Sequence, residues 1–368
     1  MPDDTVLPAS WYVDPRVLKA EQNSVFAAAP DYVGCVSRVT ADGGFLTVAQ
    51  RRHTHALVRS NGQLRLMDNI CAHRGHEILR GQGVARALVC PMHRWTYDLQ
   101  GQLIGAPLYK EKPCVSLASR PVYNWNGILF AGNRNVEADL ASLSQRPELD
   151  VSHYRFVDCD EEEQPVNWKI PVEVYLENYH APFIHPGLSR FVAQGSWYAN
   201  DGAFDSPHLM WQEMKPHPDF HHNPDSVAFE QWQQAIIKTN DGKFPDFAAL
   251  ICLYSPNVFM EWFPFTFVVT TYIPNSAEIT LMIREFYYDP KALERVPEFP
   301  ALTRAAYHEN QWQDDKAHES LHRGRAVLAT RNPANTIGHA TYHPTMEDSV
   351  RIFHSGLVNS VAPYLRRD

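Results

Sequence analysis

The sequence predicts an α+β protein in two parts: a small all-β domain first, then a larger domain of helices lying on an antiparallel sheet. Three observations lead there. A chain of 368 residues exceeds what one hydrophobic core usually serves. Between about residues 38 and 150 it is turn-rich and alternates apolar with polar side chains. Further on come long strand-like runs, then segments whose apolar residues recur every three or four positions.

The β-rich region comes first. GGFLTVAQ, THALVRSNGQLRLMDNI and VYNWNGILFAG read as short strands, two of them folded at Asn-Gly turns. Asp158 to Glu163, DCDEEE, reads as a charged linker rather than as core. Asn167 through Tyr179 reads helical, with Ile170, Val174 and Tyr175 at helical spacing, and Pro182 and Pro186 are expected to break that helix. Ser189 to Lys243, carrying Trp197, Trp211 and Trp232, reads as loop-rich and as a candidate lid. LICLYSPNVFMEWFPFTFVVTTYIP and AEITLMIREFYY read as long strands, and parity puts Phe259, Phe263, Phe265 and Phe267 on one face. Helices are expected at about 300–325 and 346–365; in the second, Val350, Phe353, Leu357 and Val361 form one apolar face.

The net charge of −9 and the lack of a long Lys/Arg cluster argue against nucleic acid or an anionic membrane surface as partner. The acidic, proline-broken N-terminus lacks the pattern of a secretory signal. The most apolar stretch, Phe263 to Pro274, falls short of the ~20 residues that span a bilayer. A cytoplasmic location is expected. Six scattered cysteines are too few for a disulfide scaffold. Cys35, Cys114, Cys159 and Cys252 have no partner at ligand spacing and read as small buried residues.

The other two cysteines each precede a histidine: Cys71-x-His73 and Cys90-x-x-His93. Zinc-finger grammar keeps the cysteines in one half and the histidines in the other. One of each per half suits a [2Fe–2S] cluster in which one iron takes both thiolates and the other both imidazoles. A structural zinc site is the competing reading. A second constellation holds Glu177, His180 and His185. On a helix Glu177 and His180 would share a face, and the proline break would let His185 fold back. Two histidines and a carboxylate with open positions make the facial triad of O2-activating Fe(II) enzymes.

The pattern C-x-H-R-G … C-P-x-H-x-W-x-Y-D-x-x-G over Cys71 to Gly101 resembles the Rieske domain of the Rieske non-haem iron oxygenases. NWKIPVEVYLENYHAPFIHPGL, Asn167 to Leu188, is similar to the iron-binding segment of the same family. Most members carry Gly after the second ligand histidine, where this chain has Arg94. The resemblance implies a Rieske cluster on Cys71, His73, Cys90 and His93, and a mononuclear Fe(II) on His180, His185 and a distant carboxylate. Matching NQWQDDKAHESLHRG, Asn310 to Gly324, to the family pattern puts that carboxylate at Asp314. Gln313 then replaces the usual Glu, His322 the usual Gln, and Asp315 is left on a solvated helix face.

The resemblance further implies that Glu177 is the electron bridge between sites, joining His93 in a neighbouring subunit to His180. Most members have Asp there, and Glu hints at the branch that oxidises quaternary amines. The catalytic domain is expected to have the helix-grip fold and to comprise residues 1–37 and 151–368, with a helix near Arg16–Ala28 packed on it, around a Rieske domain of 38–150. A homotrimer is implied. Electrons are expected from a flavin and iron–sulfur NAD(P)H reductase, directly or through a ferredoxin, since no Gly-rich dinucleotide fingerprint occurs in the chain. The expected activity is a terminal oxygenase that uses O2 to hydroxylate or oxidatively demethylate a small organic substrate. The same ligands would serve cis-dihydroxylation of an aromatic ring, and a non-catalytic iron–sulfur or zinc protein is the remoter alternative.

Overall fold

The computed structural model describes residues 6–198, 208–254, 256–331 and 342–365. The chain divides into two compact units: Pro30–Arg155, and Met1–Ala29 together with Phe156–Asp368.

In the smaller unit short antiparallel strands form three sheets. The five-stranded one runs in the order Gln82–Val84, Gly44–Thr47, His55–Ser60, Gln63–Asp68, Ser119–Pro121. Its central hairpin turns at Asn61-Gly62, both residues at positive φ, as a two-residue loop matched to strand twist requires. Val33, Leu46, Leu57, Leu66 and Leu129 close one core. A second core gathers Cys71, Cys90, Trp95, Tyr97 and Leu117 under the ligand-bearing loops. The unit starts at Pro30 and not at residue 38, because Asp31–Cys35 pairs with Ile128–Ala131 across the fold. A five-residue strand carries no mark of a partner about a hundred positions away, so the sequence could not show this.

The larger unit is built on a six-stranded antiparallel sheet in the order Arg155–Gln164, Thr280–Tyr288, Thr266–Pro274, Val258–Phe263, Ala249–Tyr254, Leu209–Met214. The register lines up Gln212, Ile251, Glu261, Val268 and Phe286 across five strands, so these residues share one face. Helices Lys169–Leu176, Val227–Thr239, Phe299–Arg331 and Asp348–Leu365 accompany the sheet. Phe229, Trp232, Ile236, Phe299, Ala306 and Tyr307 from the helices pack with Val268 and Phe286. A companion core joins Trp11, Leu18, Trp168, Phe353, Leu357 and Val361 to Phe259 and Tyr272. Among the described residues no helix is long and apolar enough to cross a membrane.

Two buried ionic knots tie the N-terminal segment into this unit. Helix Pro15–Glu21 is capped by Asp14, whose side chain accepts from the Arg16 N–H. At its other end the buried Glu21 carboxylate takes Lys169 Nζ at 2.6 Å and Trp168 Nε1–H at 2.8 Å. Glu173 receives the Tyr12 hydroxyl at 2.6 Å, Arg325 at 2.7 Å and His354 Nε2 at 3.0 Å. Three segments distant in sequence therefore converge on the carboxylate of a fourth.

Several expectations need correction. The DCDEEE run is no linker but part of the edge strand Arg155–Gln164. Asp158, Asp160 and Glu162 alternate along it and meet Arg304, His308 and Gln311 of the long helix through four contacts, so strand period and helix period coincide. Charge on an edge strand also discourages pairing with other chains. Phe267 does not share a face with Phe259 and Phe263. The turn at Pro264-Phe265 reverses the chain, Phe267 lies opposite Trp262, and both lie on the other side of the sheet. Phe265 itself is a turn residue with φ of 64°. The candidate lid contains strand Leu209–Met214, which carries Trp211, and helix Val227–Thr239, which carries Trp232; residues 199–207 and the Trp197 side chain lie outside the described residues. Cys35 and Cys252 are buried, whereas Cys114 is exposed and Cys159 half-buried.

Candidate metal centres

The two Cys-His loops have the same backbone design. Cys71 N–H donates to the His76 carbonyl and Gly75 N–H to the Cys71 carbonyl, at 2.8 and 2.9 Å. Cys90 N–H donates to the Trp95 carbonyl and Arg94 N–H to the Cys90 carbonyl, at 2.8 and 3.0 Å. Each loop thus turns back at the fifth residue, which is left-handed in both: φ is 75° at Gly75 and 60° at Arg94. Both sulfurs are buried and free of disulfide. The His73 and His93 rings lie edge to face at 4.7 Å, and Trp95 stacks on His73 at 4.6 Å. The Tyr97 hydroxyl lies 3.3 Å from Cys71 Sγ, placed to donate to a thiolate. His93 is exposed, so the histidine end of the loops meets solvent.

These donors fit a two-iron cluster. His73 Nδ1 is buried without a hydrogen-bond partner, a cost that a metal bond would remove. A lone zinc would draw its four ligands to within roughly 4 Å of one another. Among the described residues, however, the one group of metal-binding donors gathered within 4.8 Å is elsewhere, at His180, His185 and Asp314.

That second group arises where a helix stops early. Helix Lys169–Leu176 ends before Glu177, which is extended at φ −116° and ψ 140°. Glu177 and His180 therefore do not share a helical face. Instead Glu177 Oε2 accepts from the N–H groups of Tyr179 and His180, at 2.5 and 3.1 Å, offering the backbone an alternative to continuing the helix. Pro182 does not break the helix either; it sits in the first turn of the next one, Ala181–Ile184. The outcome for the site is a close contact all the same, with His180 Nδ1 at 2.5 Å from Glu177 Oε1.

His185 Nδ1 lies 2.7 Å from Gln313 Oε1. Carboxylate and amide oxygens only accept, so both Nδ1 atoms must donate, and in the neutral tautomers both Nε2 atoms carry lone pairs. Those Nε2 atoms are 3.2 Å apart, and His185 Nε2 is 2.9 Å from Asp314 Oδ1, with His180 Nε2 at 3.7 Å. Three lone-pair donors converging in this way suit a divalent cation. Burial raises the Asp314 carboxyl, but His185, His180 and His318 more than offset it and hold the group below the usual carboxylate range. For His185 burial opposes the charge, and Asp314 and Gln313 together lift it above its ordinary value.

A pocket of about 910 Å³, part of it open to solvent, contains this triad. Its walls include Tyr175, Trp232, Phe263, Glu261, Arg284 and Tyr307. Asp315 also faces it and accepts from Gln164 Nε2 at 3.0 Å, so it does not sit on a solvated helix face as expected. The helix bearing it is covered on that side by the sheet. Gln313, which the sequence marked only as a departure, holds His185 in place. Two further residues of the site belong to no sequence motif. His318 is buried in the same wall with neither ring nitrogen hydrogen-bonded, its Nδ1 lying 3.7 Å from Asp315 Oδ1, and its spacing of four from Asp314 was the available signal. Glu261 was visible as the lone carboxylate in an apolar strand.

Comparison with known proteins assigns a family to each of the two parts of the chain. The ring hydroxylating alpha subunit (catalytic domain) family matches residues 148–362, and the Rieske [2Fe-2S] domain family residues 31–121. Putrescine 2-hydroxylase of Ralstonia nicotianae is 36% identical over 361 residues, covering 96% of this chain and 95% of that protein. Putrescine 2-hydroxylase of Bordetella bronchiseptica is 34% identical, covering 96% and 84%. A solved quaternary ammonium Rieske monooxygenase, reported for insights into carnitine oxidation by gut microbiota and inter-subunit electron transfer, shares the fold. Its TM-score is 0.74 at 22% identity, covering 99% of this chain and 96% of that one. The family's cofactors are a Rieske [2Fe–2S] cluster and a mononuclear iron, its co-substrate is O2, and its members work with a reductase on a small substrate. With both family domains present in order along the chain, this protein belongs to the Rieske ring-hydroxylating oxygenases as an oxygenase alpha subunit.

Proposed function

We propose that this oxygenase hydroxylates an unactivated C–H bond of a small aliphatic amine, with putrescine as the leading candidate. The observation that carries the reading is the convergence of His180 Nε2, His185 Nε2 and Asp314 Oδ1 on one point of a largely apolar pocket. The near full-length likeness to two putrescine 2-hydroxylases supports the substrate. In this proposal Cys71, His73, Cys90 and His93 hold the cluster, and His180, His185 and Asp314 hold the iron. Iron held by these residues would supply O2 activation, a monooxygenation that balances with one oxygen atom in the product and the other in water, at the expense of two electrons from the reductase and two protons.

The chain's own residues perform the rest. Glu177 and Gln313 fix the tautomers and orientations of the two imidazoles, as outer partners of metal ligands do. Each carboxylate oxygen has two lone pairs, so Glu177 retains capacity for a further N–H. We assign that capacity to His93 of the partner subunit in a head-to-tail homotrimer, an arrangement that needs a heterologous interface. Tyr175, Trp232 and Phe263 keep water from the reacting end of the pocket. The reducing partner in this reading is a flavin and iron–sulfur protein drawing on NAD(P)H, directly or through a ferredoxin, in the cytoplasm.

The test is turnover of the iron-loaded protein with a reductase, NADH and putrescine under ¹⁸O₂. One labelled oxygen in a hydroxylated amine is the expected product. A panel of aromatic acids run in parallel covers cis-dihydroxylation, which would place two labelled oxygens on a ring. No amine product, with a dihydrodiol in its place, would end this reading.

A further inference from the structure

The reaction needs a substrate to be held, and the triad does not explain how an amine would be recognised. Glu261 lies in the middle of strand Val258–Phe263, 1% exposed, with its side chain on the pocket face. It accepts a hydrogen bond from the Tyr307 hydroxyl, which in turn lies 3.0 Å from the Tyr175 hydroxyl. Among the described residues no Lys, Arg or His forms an ion pair with it. Arg284 shares the face, but its Nε donates to Thr270 Oγ1 at 3.1 Å, its Nη1 to Gln311 Oε1 at 2.5 Å, and its guanidinium sits 4.7 Å above the Tyr307 ring.

A carboxylate buried in a sheet core with no direct ion-pair contact costs several kcal/mol; the field of Arg284 offsets part of that cost, but its guanidinium is hydrogen-bonded elsewhere. Aromatic rings surround it. Phe263 meets Tyr307 edge-on at 6.1 Å and Trp232 at 5.3 Å, so aromatic rings and a buried carboxyl group line the same space. Ring faces attract cations, most strongly where water is excluded. The overall charge points the same way. Four carboxylates line the pocket, Glu177, Glu261, Asp314 and Asp315, against the single guanidinium of Arg284. A divalent iron on the triad would still leave this wall with net negative charge. Burial also raises Glu261, to about 7, against the pull of Tyr307, Arg284, Tyr175 and Thr270.

We propose that Glu261, walled by Phe263, Trp232 and Tyr307, is the binding site for the ammonium group of the substrate. This deepens the reading of the chain as an amine hydroxylase and rests on it. Glu261 is a specificity residue, remote from the reacting atoms. It would select alkylammonium compounds over neutral or anionic molecules of the same size.

The experiment measures binding to the iron-loaded holoenzyme without O2, by calorimetry. The probes are 1,4-diaminobutane, n-butylamine, 1-butanol and butyrate, tested on the wild type and on Glu261→Gln. The wild type should bind both amines and discriminate against butanol and butyrate. Glu261→Gln should weaken amine binding by roughly 30-fold or more, as losing one partner of a buried charge pair does, while butanol binding stays within about threefold. Glu261→Asp keeps the charge but withdraws it by one methylene. It should shift preference from 1,4-diaminobutane towards 1,5-diaminopentane, and it serves as the readout if the glutamine variant does not fold. Unchanged amine affinity in Glu261→Gln, or an unchanged chain-length preference in Glu261→Asp, overturns the subsite while leaving amine hydroxylation standing. A wild type that neither binds nor turns over any amine overturns both, and the wild-type arm alone reports it.

Discussion

Gly75 and Arg94 occupy the same place in two matching loops, each donating its N–H to the carbonyl of the cysteine four residues before it and each left-handed in φ. Only one of them is built for that conformation. A side chain in the left-handed region costs roughly 1–2 kcal/mol, part of which glycine gives back through its looser unfolded state. Arg94→Gly should therefore stabilise the protein by up to about 1 kcal/mol. Gly75→Ala, whose Cβ would make only an ordinary contact with Ile70 Cγ2 at 4.0 Å, should destabilise it by about the same amount from backbone strain. Denaturant unfolding of the two variants reads both signs, and equal signs would refute the equivalence of the loops.

His180→Ala removes one of three converging donors and none of the cluster's. Iron should fall from three to two per chain, with the visible spectrum of the cluster retained and turnover abolished. Metal analysis beside absorption spectra decides it; loss of cluster colour in this variant would show that the two centres are not independent.

Glu177→Gln replaces a group that accepts three N–H bonds by one whose amide nitrogen must face a donor. Both metals should stay bound, and single-turnover transfer to the mononuclear site should slow by roughly 10–100-fold. Normal turnover would remove the bridging role.

Gln313→Ala leaves the His185 Nδ1–H without its acceptor. Iron affinity at the triad should weaken by roughly 10–100-fold, and Gln313→Glu should restore it, since a carboxylate accepts the same N–H. Iron titration of protein stripped at the mononuclear site measures the effect. An alanine variant with unaltered affinity would reduce Gln313 to a packing residue.

Glu261 makes stability depend on pH in the direction opposite to an ordinary paired carboxylate. Burial raises its folded value from 4.5 to about 7, with Tyr307, Tyr175, Thr270 and Arg284 pulling it down. The folded state therefore holds this proton more tightly than the unfolded chain. Its contribution is fully present below pH 4.5 and is lost as pH rises through 7. The window corresponds to roughly 3 kcal/mol. Substrate-free Glu261→Gln should lack this decline and exceed the wild type in stability at pH 8. Parallel stability curves for the two proteins would contradict the assignment.

Much of this protein is legible in the amino-acid sequence. The Cys-His pairs and the His180–His185 pair stand out because metal chemistry demands particular donor atoms and local spacing displays them, whereas Asp314, a hundred and more positions downstream, is reached only through the family pattern. The long strands and terminal helices are readable from periodicity, since the side-chain repeat is a local property. The face taken by Phe267, the edge strand hidden in DCDEEE, the pocket side of Asp315 and the pairing of Asp31–Cys35 are not. Each depends on a turn that resets parity or on a partner distant in sequence. The most consequential case is Glu261. Its identity is written in the chain, but only the fold buries it and sets it on the wall of a pocket shared with Tyr307, Trp232 and Phe263, because Tyr307 and Trp232 come from other elements.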